Sequence, residues 1–288
     1  MLASTVSVGL AAPPAALAVR HQQHSAVASN GVAELVGDDV SWPQCPHGMP
    51  LPRPGAFLII GLTNGTALHR NPCLPGQLAW GERSGRPLAA YAMVNPPTSA
   101  ELHRDLRGPG HACTSHGSNR VVCAFGNAGA AEAAFTLRTL AASGWQTRLV
   151  WADVEMRETQ PWHASQKRAN RALLAGFDAT MQAAGVKVGY YSTAYQWQEI
   201  TGGWRPPAGS PEWYAIGTGN VGALRAACRH SFAGGPTAIT QAVWGLHDKD
   251  LVCPGAGSVV AAMSLRHPAP PAPAVPSLPR DIPWARIR

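Results

Sequence analysis

Apolar runs of buried-strand length alternate along this chain with segments of helical periodicity, and that alternation limits the fold more than any other feature. Ala56 to Leu62, Leu88 to Val94 and Val186 to Ser192 are near-continuous apolar runs, the pattern of strands covered on both faces. Arg148 to Glu155 is a strand that finishes in acids, and Glu212 to Ile216 and Thr237 to Trp244 supply two more. Ala130 to Ser143 is an alanine-rich helix closed by Gly144. Ser165 to Ala184 is a long helix with Leu173, Leu174, Phe177 and Met181 on one face, closed by Gly185. Strands alternating with helices predict a parallel sheet. A folded unit of roughly 230 residues suits a single TIM-like (β/α) barrel of the α/β class, with scope for modified last strands. A doubly wound open sheet is the other architecture, but no GxGxxG follows the first strand.

Composition narrows the class. Hydrophobic residues make up 45% of the 288 and charged residues 14%, which supplies a core and excludes a disordered chain. The formal charge of +7 comes from scattered basic residues. Without a basic run there is no nucleic-acid tract. The six cysteines, Cys45, Cys73, Cys113, Cys123, Cys228 and Cys253, include no CxxC pair and lie in loop-like surroundings, so they read as three disulfides rather than a zinc site. Spacing leaves the connectivity open. Order along the chain suggests Cys45–Cys73, Cys113–Cys123 and Cys228–Cys253.

The ends fit export. Residues 1–18 read as a signal peptide, with small apolar residues from Val6 and a small-x-small site at Ala16-Leu17-Ala18, although no basic residue precedes Arg20. Residues 19–36 read as a flexible lead-in, 37–266 as the barrel domain and 267–288 as a proline-rich disordered tail. No apolar run is long enough to span a membrane. The expected product is an extracellular or wall-associated monomer.

The chemistry centres on acids. Asp153 and Glu155 stand two residues apart at a strand end, so both point to one side. In a barrel that end is the active-site face. Two converging carboxylates cannot both ionise freely, which leaves one able to serve as a general acid for a glycosidic oxygen. Asp39 ends the first short strand, and Asp248 and Asp250 follow the strand ending at Trp244. If the barrel closes, its first and last strands are neighbours and all five acids share one rim. Trp42, Gln44, Trp151, Tyr191, Tyr195, Trp197, Trp213 and Gln241 are the candidate substrate contacts, since sugar rings offer apolar faces to aromatics and hydroxyls to amides. No GxSxG is present. His103, His111 and His116 lack HExxH spacing, so no metal and no cofactor is expected. His163 and His247 are the histidines near the acidic rim.

Asp39-Val40-Ser41-Trp42-Pro43-Gln44 resembles the DVSxxQ opening of the glycoside hydrolase family 25 lysozymes, and Asp153-Val154-Glu155 resembles their DxE motif. The chain is more similar still to a secreted actinobacterial group labelled glycoside hydrolase family 25-like or DUF1906-like. The similarity lies at Asn71-Pro72-Cys73, Val188 to Trp197, and Asp248-Lys249-Asp250 followed by Cys253. It departs from the lysozymes in its cysteines and in its third strand, Ala90-Tyr91-Ala92-Met93, where they carry Tyr-His-Phe. The resemblance implies a modified (β/α) barrel that cleaves β-1,4 links in peptidoglycan or a related N-acetylated glycan. Glu155 would be the general acid, with Asp39, Asp153, Asp248 and Asp250 positioning substrate or stabilising charge. The route would run through the substrate's acetamido group or an activated water. A catalytically inactive, wall-glycan-binding barrel is the alternative.

Overall fold

The computed structural model describes residues 34–45, 48–106, 113, 117–157 and 160–263. The expected signal peptide, most of the lead-in, the proline-rich tail, His111 and His116 lie outside these. Eight strands follow one another around a closed barrel: β1 (Val36–Val40), β2 (Leu58–Gly61), β3 (Leu88–Met93), β4 (Leu149–Asp153), β5 (Lys187–Ser192), β6 (Glu212–Thr218), β7 (Thr237–Trp244) and β8 (His247–Val252). Around them run α1 (Leu74–Ser84), α2 (Ser99–Asp105), α3 (Ser118–Ala142), α4 (Lys167–Ala183), α5 (Ala194–Thr201), α6 (Val221–Ala227) and α7 (Gly257–Ala262). Strands β1 to β7 are parallel.

The last strand differs from the sequence reading. Asp248 and Asp250 follow the strand ending at Trp244, but they lie within an eighth strand rather than a loop: β8 is antiparallel to both β7 and β1, a modified end to the barrel. Trp244 pairs with His247, so two residues turn the chain. A loop that short cannot cross over to a parallel partner and makes a hairpin instead. Gly245, with φ of +69°, supplies the left-handed backbone.

The pleat sorts side chains to two cores. Outward residues, among them Val40, Ile60, Ala92, Val150, Val188 and Tyr190, pack against the helices. Inward residues, Ile59, Leu149, Trp151, Tyr191, Trp213 and Ile239, fill the barrel, as an eight-stranded barrel requires. Helix α3 begins well before the expected Ala130. Small residues from Ala124 to Ala130 let it approach α4 closely: a Cβ on Gly129 would sit 1.9 Å from the Leu173 carbonyl oxygen. The three disulfides pair cysteines in chain order: Cys45–Cys73, Cys113–Cys123 and Cys228–Cys253.

Candidate active site

Register brings the acids to the mouth formed by the C-terminal ends of the parallel strands. Met93 pairs with Asp153, and Asp153 with Tyr191. Gln241 pairs with Asp250, and Asp250 with Gly37. Continuing that last register places Asp39 across from Asp248. Below the carboxyls the barrel is plugged by aromatic rings. Trp213 contacts Tyr191 at 4.5 Å and both Tyr91 and Trp151 at 5.9 Å between ring centroids. Gly189 makes room for this plug, since a Cβ there would lie 2.4 Å from the Trp151 ring.

The carboxyls differ in depth. Asp39, Asp153 and Asp250 are buried, whereas Asp248 and Glu155 are partly open. Asp39 Oδ2 accepts from Gln241 Nε2 at 2.9 Å, and Gln241 Oε1 accepts from the Tyr191 hydroxyl at 2.7 Å. Asp250 Oδ1 accepts from Trp213 Nε1 at 2.8 Å. The buried carboxyls of Asp39 and Asp250 act on each other, and two such carboxyls do not ionise freely together. Burial, then the charge of Asp248, pushes Asp39 up to about 8. Burial, then Asp39, pushes Asp250 well above the carboxylate range. Asp153 is raised by burial and then by Glu155, against the opposing pull of Arg157. Asp248 is raised by burial and then by Glu155.

Glu155 stands just beyond β4, and its backbone is clamped on several sides. Val154 N donates to Tyr191 O at 3.0 Å, Ser192 Oγ donates to Val154 O at 2.9 Å, and Trp162 Nε1 donates to Glu155 O at 2.9 Å. Met156 N donates to the Gln196 side chain. Arg157 Nη2 meets Glu155 Oε2 at 3.0 Å. The arrangement presents one fixed carboxyl at the mouth and, behind it, acids that burial shifts toward the protonated form.

Several expected substrate contacts do other work. Trp197 lies outside the barrel, fully buried against Tyr190, Trp204 and Phe232, with Nε1 donating to Trp204 O at 2.9 Å. It offers no face to a sugar. Trp151 and Trp213 form the plug under the acids and are covered from above. Tyr191 and Gln241 are buried and bonded to each other. Gln44 Oε1 accepts from Ser41 N at 2.8 Å and caps the turn Trp42–Gln44. Trp42, 42% exposed, and Tyr195, 68% exposed, retain faces that can stack on a sugar.

Two site residues escaped the sequence reading. Tyr91 points inward on β3, against the Trp213 ring, and faces Asp39, Asp153 and Glu155. Arg157 continues the two-residue period through Asp153 and Glu155, and that period is the signal that could have found it.

Comparison with known proteins gives a consistent picture. The family model described as "Lysozyme-like protein 1" matches residues 123–229, a stretch that holds Asp153, Glu155, Tyr191 and Trp213. A Dictyostelium discoideum protein, "Probable GH family 25 lysozyme 4", is 36% identical over 67 residues, 23% of this chain and 30% of the relative's length. Among solved structures, a muramidase from Trichobolus zukalii is 18% identical with a TM-score of 0.53, covering 80% of this chain and 98% of that one. A family GH25 lysozyme from Aspergillus fumigatus is 14% identical with a TM-score of 0.53, covering 81% of this chain and 100% of that one. At those identities the structural likeness is one of fold.

Proposed function

We propose that this chain, glycoside hydrolase family 25-like in local sequence and in fold, is a secreted hydrolase of β-1,4 links in peptidoglycan or a related N-acetylated glycan. The observation that carries the reading is the placement of Glu155. Its backbone is held by Tyr191, Ser192 and Trp162, and its carboxyl reaches the mouth above the buried acids Asp39, Asp153 and Asp250. A general acid must be aimed at one oxygen, and positioned proton transfer contributes about 10²–10⁴ in rate. In this reading Asp39, Asp153, Asp248 and Asp250 position the substrate or stabilise charge around Glu155. Trp42 and Tyr195 at the edge supply stacking faces. The three disulfides suit an oxidising, extracellular or wall-associated setting.

One observation favours the second reading, a glycan-binding barrel without turnover. Arg157 engages Glu155 at 3.0 Å, and a glutamate acting as the anion of an ion pair holds no proton to give. Insoluble peptidoglycan incubated with the purified protein decides between the two readings. Soluble fragments whose new reducing ends are muramic acid by mass spectrometry support hydrolysis. Protein that pellets with the wall and releases no fragments supports the binding module.

A further inference from the structure

The mouth contains a hydrogen-bonded chain that never reaches the surface. Tyr191 on β5 donates its hydroxyl to Gln241 Oε1 on β7, and Gln241 Nε2 donates to Asp39 Oδ2 on β1. Tyr191 and Gln241 are both buried, and their polar atoms are turned to one another and to Asp39. The order of the chain matters because a primary amide has two different ends. With Oε1 occupied by the tyrosine, the amide must show its N–H to the aspartate, and an N–H stabilises a carboxylate over a carboxyl. Without the hydroxyl the amide is free to turn over and show its carbonyl, which would accept a proton-bearing Asp39 instead.

We propose that Gln241 and Tyr191 are positioning residues for Asp39, the tyrosine hydroxyl fixing the amide so that its N–H faces the aspartate and favours its ionised form. This rests on the reading of Asp39 as part of the acidic mouth of a hydrolase. The groups facing Asp39 are Asp248 and Asp250 from β8, Asp153 from β4, Tyr91 from β3 and Tyr191 from β5, and Asp38, on the other face of its own strand, acts on it through its charge. Strand β2 contributes no titratable side chain. Burial, Asp248 and Asp38 oppose ionisation of Asp39, and Gln241 and Asp250 act against that trend. The outward-facing Tyr190, next in sequence, makes no such contact with the acids.

The test is a carbon-13 NMR titration of the aspartate carboxyls in the full chain, with Asp39 assigned by its disappearance in Asp39→Asn. Gln241→Met should raise the Asp39 midpoint by about one pH unit, and Tyr191→Phe should raise it in the same direction by less. Steady-state rates on peptidoglycan should show a fall in kcat of up to about tenfold near neutral pH, with KM held and the acid limb of the pH profile moved upward. Tyr191→Phe removes one oxygen and leaves the ring packed on Trp213, so it decides the matter if Gln241→Met fails to fold. An Asp39 midpoint unmoved in Tyr191→Phe, or a loss confined to KM, overturns the proposal. A shifted midpoint in a protein that releases no glycan fragments would overturn the hydrolase reading alone, and an active enzyme with an unmoved midpoint would overturn this inference alone.

Discussion

The two faces of the barrel sheet handle the same residue types in opposite ways. Asp38 and Asp39 are neighbours on β1. Asp38 faces outward, where its carboxyl pairs with Lys249 and accepts from Gly55 N at 2.8 Å. Asp39 faces inward, where burial and Asp248 raise it to about 8. Lys249 and Asp250 divide the same way on β8. Tyr190 and Tyr191 divide on β5, the first packed among Trp197 and Trp204, the second beneath the acids. Outside, each charge finds an opposite charge or a backbone donor, and the result is stability. Inside, like charges are gathered without enough partners, and the result is a set of carboxyls whose protonation a substrate can alter. The period of two decides which fate a residue meets.

That contrast can be broken by substitution. The largest effect is expected at Asp153→Asn, which replaces a buried carboxyl with a neutral near-isostere. It should lower kcat on peptidoglycan by about 10²-fold or more and leave the melting temperature unchanged or higher. Asp38→Asn should do the reverse, costing about 1–3 kcal/mol of stability with kcat/KM kept. If Asp38→Asn abolished turnover while Asp153→Asn did not, the assignment of the faces would be inverted. Next is Trp197→Ala on the outer face, expected to cost about 3–5 kcal/mol in denaturant unfolding. The exposed Tyr195→Ala should stay within about 0.5 kcal/mol.

The pH dependence of stability sharpens the same point. Asp178 on α4 is raised to about 6 by burial, against its bond with Gln182, and Asp39 to about 8. For a carboxyl raised in the folded state, the stabilisation is complete below the unfolded value near 4 and is lost as pH rises through the folded value. Stability should therefore fall between about pH 4 and 8. Asp178→Asn should flatten the lower part of that fall and Asp39→Asn the upper part. A stability curve that rises steadily from pH 4 to 8 would contradict both shifts. A smaller effect on turnover is expected at Trp42→Ala, which removes one stacking face. It should raise KM about fivefold, near 1 kcal/mol, with kcat held.

Much of this was legible in the sequence, for reasons that also explain what was not. Strands buried on both faces are apolar throughout, so β2, β3 and β5 stood out. Strand β8 did not, because its inner face carries Asp248 and Asp250 and its outer face Lys249, a polar string indistinguishable from a turn. The two-residue spacing exposed Asp153 with Glu155 and, followed one step further, points to Arg157. Depth is what spacing cannot give. Trp151 and Trp213 lie on the inner face but at the level of the plug, below reach of a glycan. Trp197 follows a matching motif, yet its position on α5 turns it against Tyr190. Tyr91 was hidden inside an apolar strand, where only its hydroxyl marks it as part of the site.

The most direct test of the account is the initial rate of reducing-end release from purified peptidoglycan by the wild-type chain and by Glu155→Gln, at matched concentration and with matched melting curves. The account predicts release by the wild type and a loss of at least about 10²-fold in the variant. Equal rates in the two proteins would contradict it, because the chemistry would then belong to some other part of the mouth.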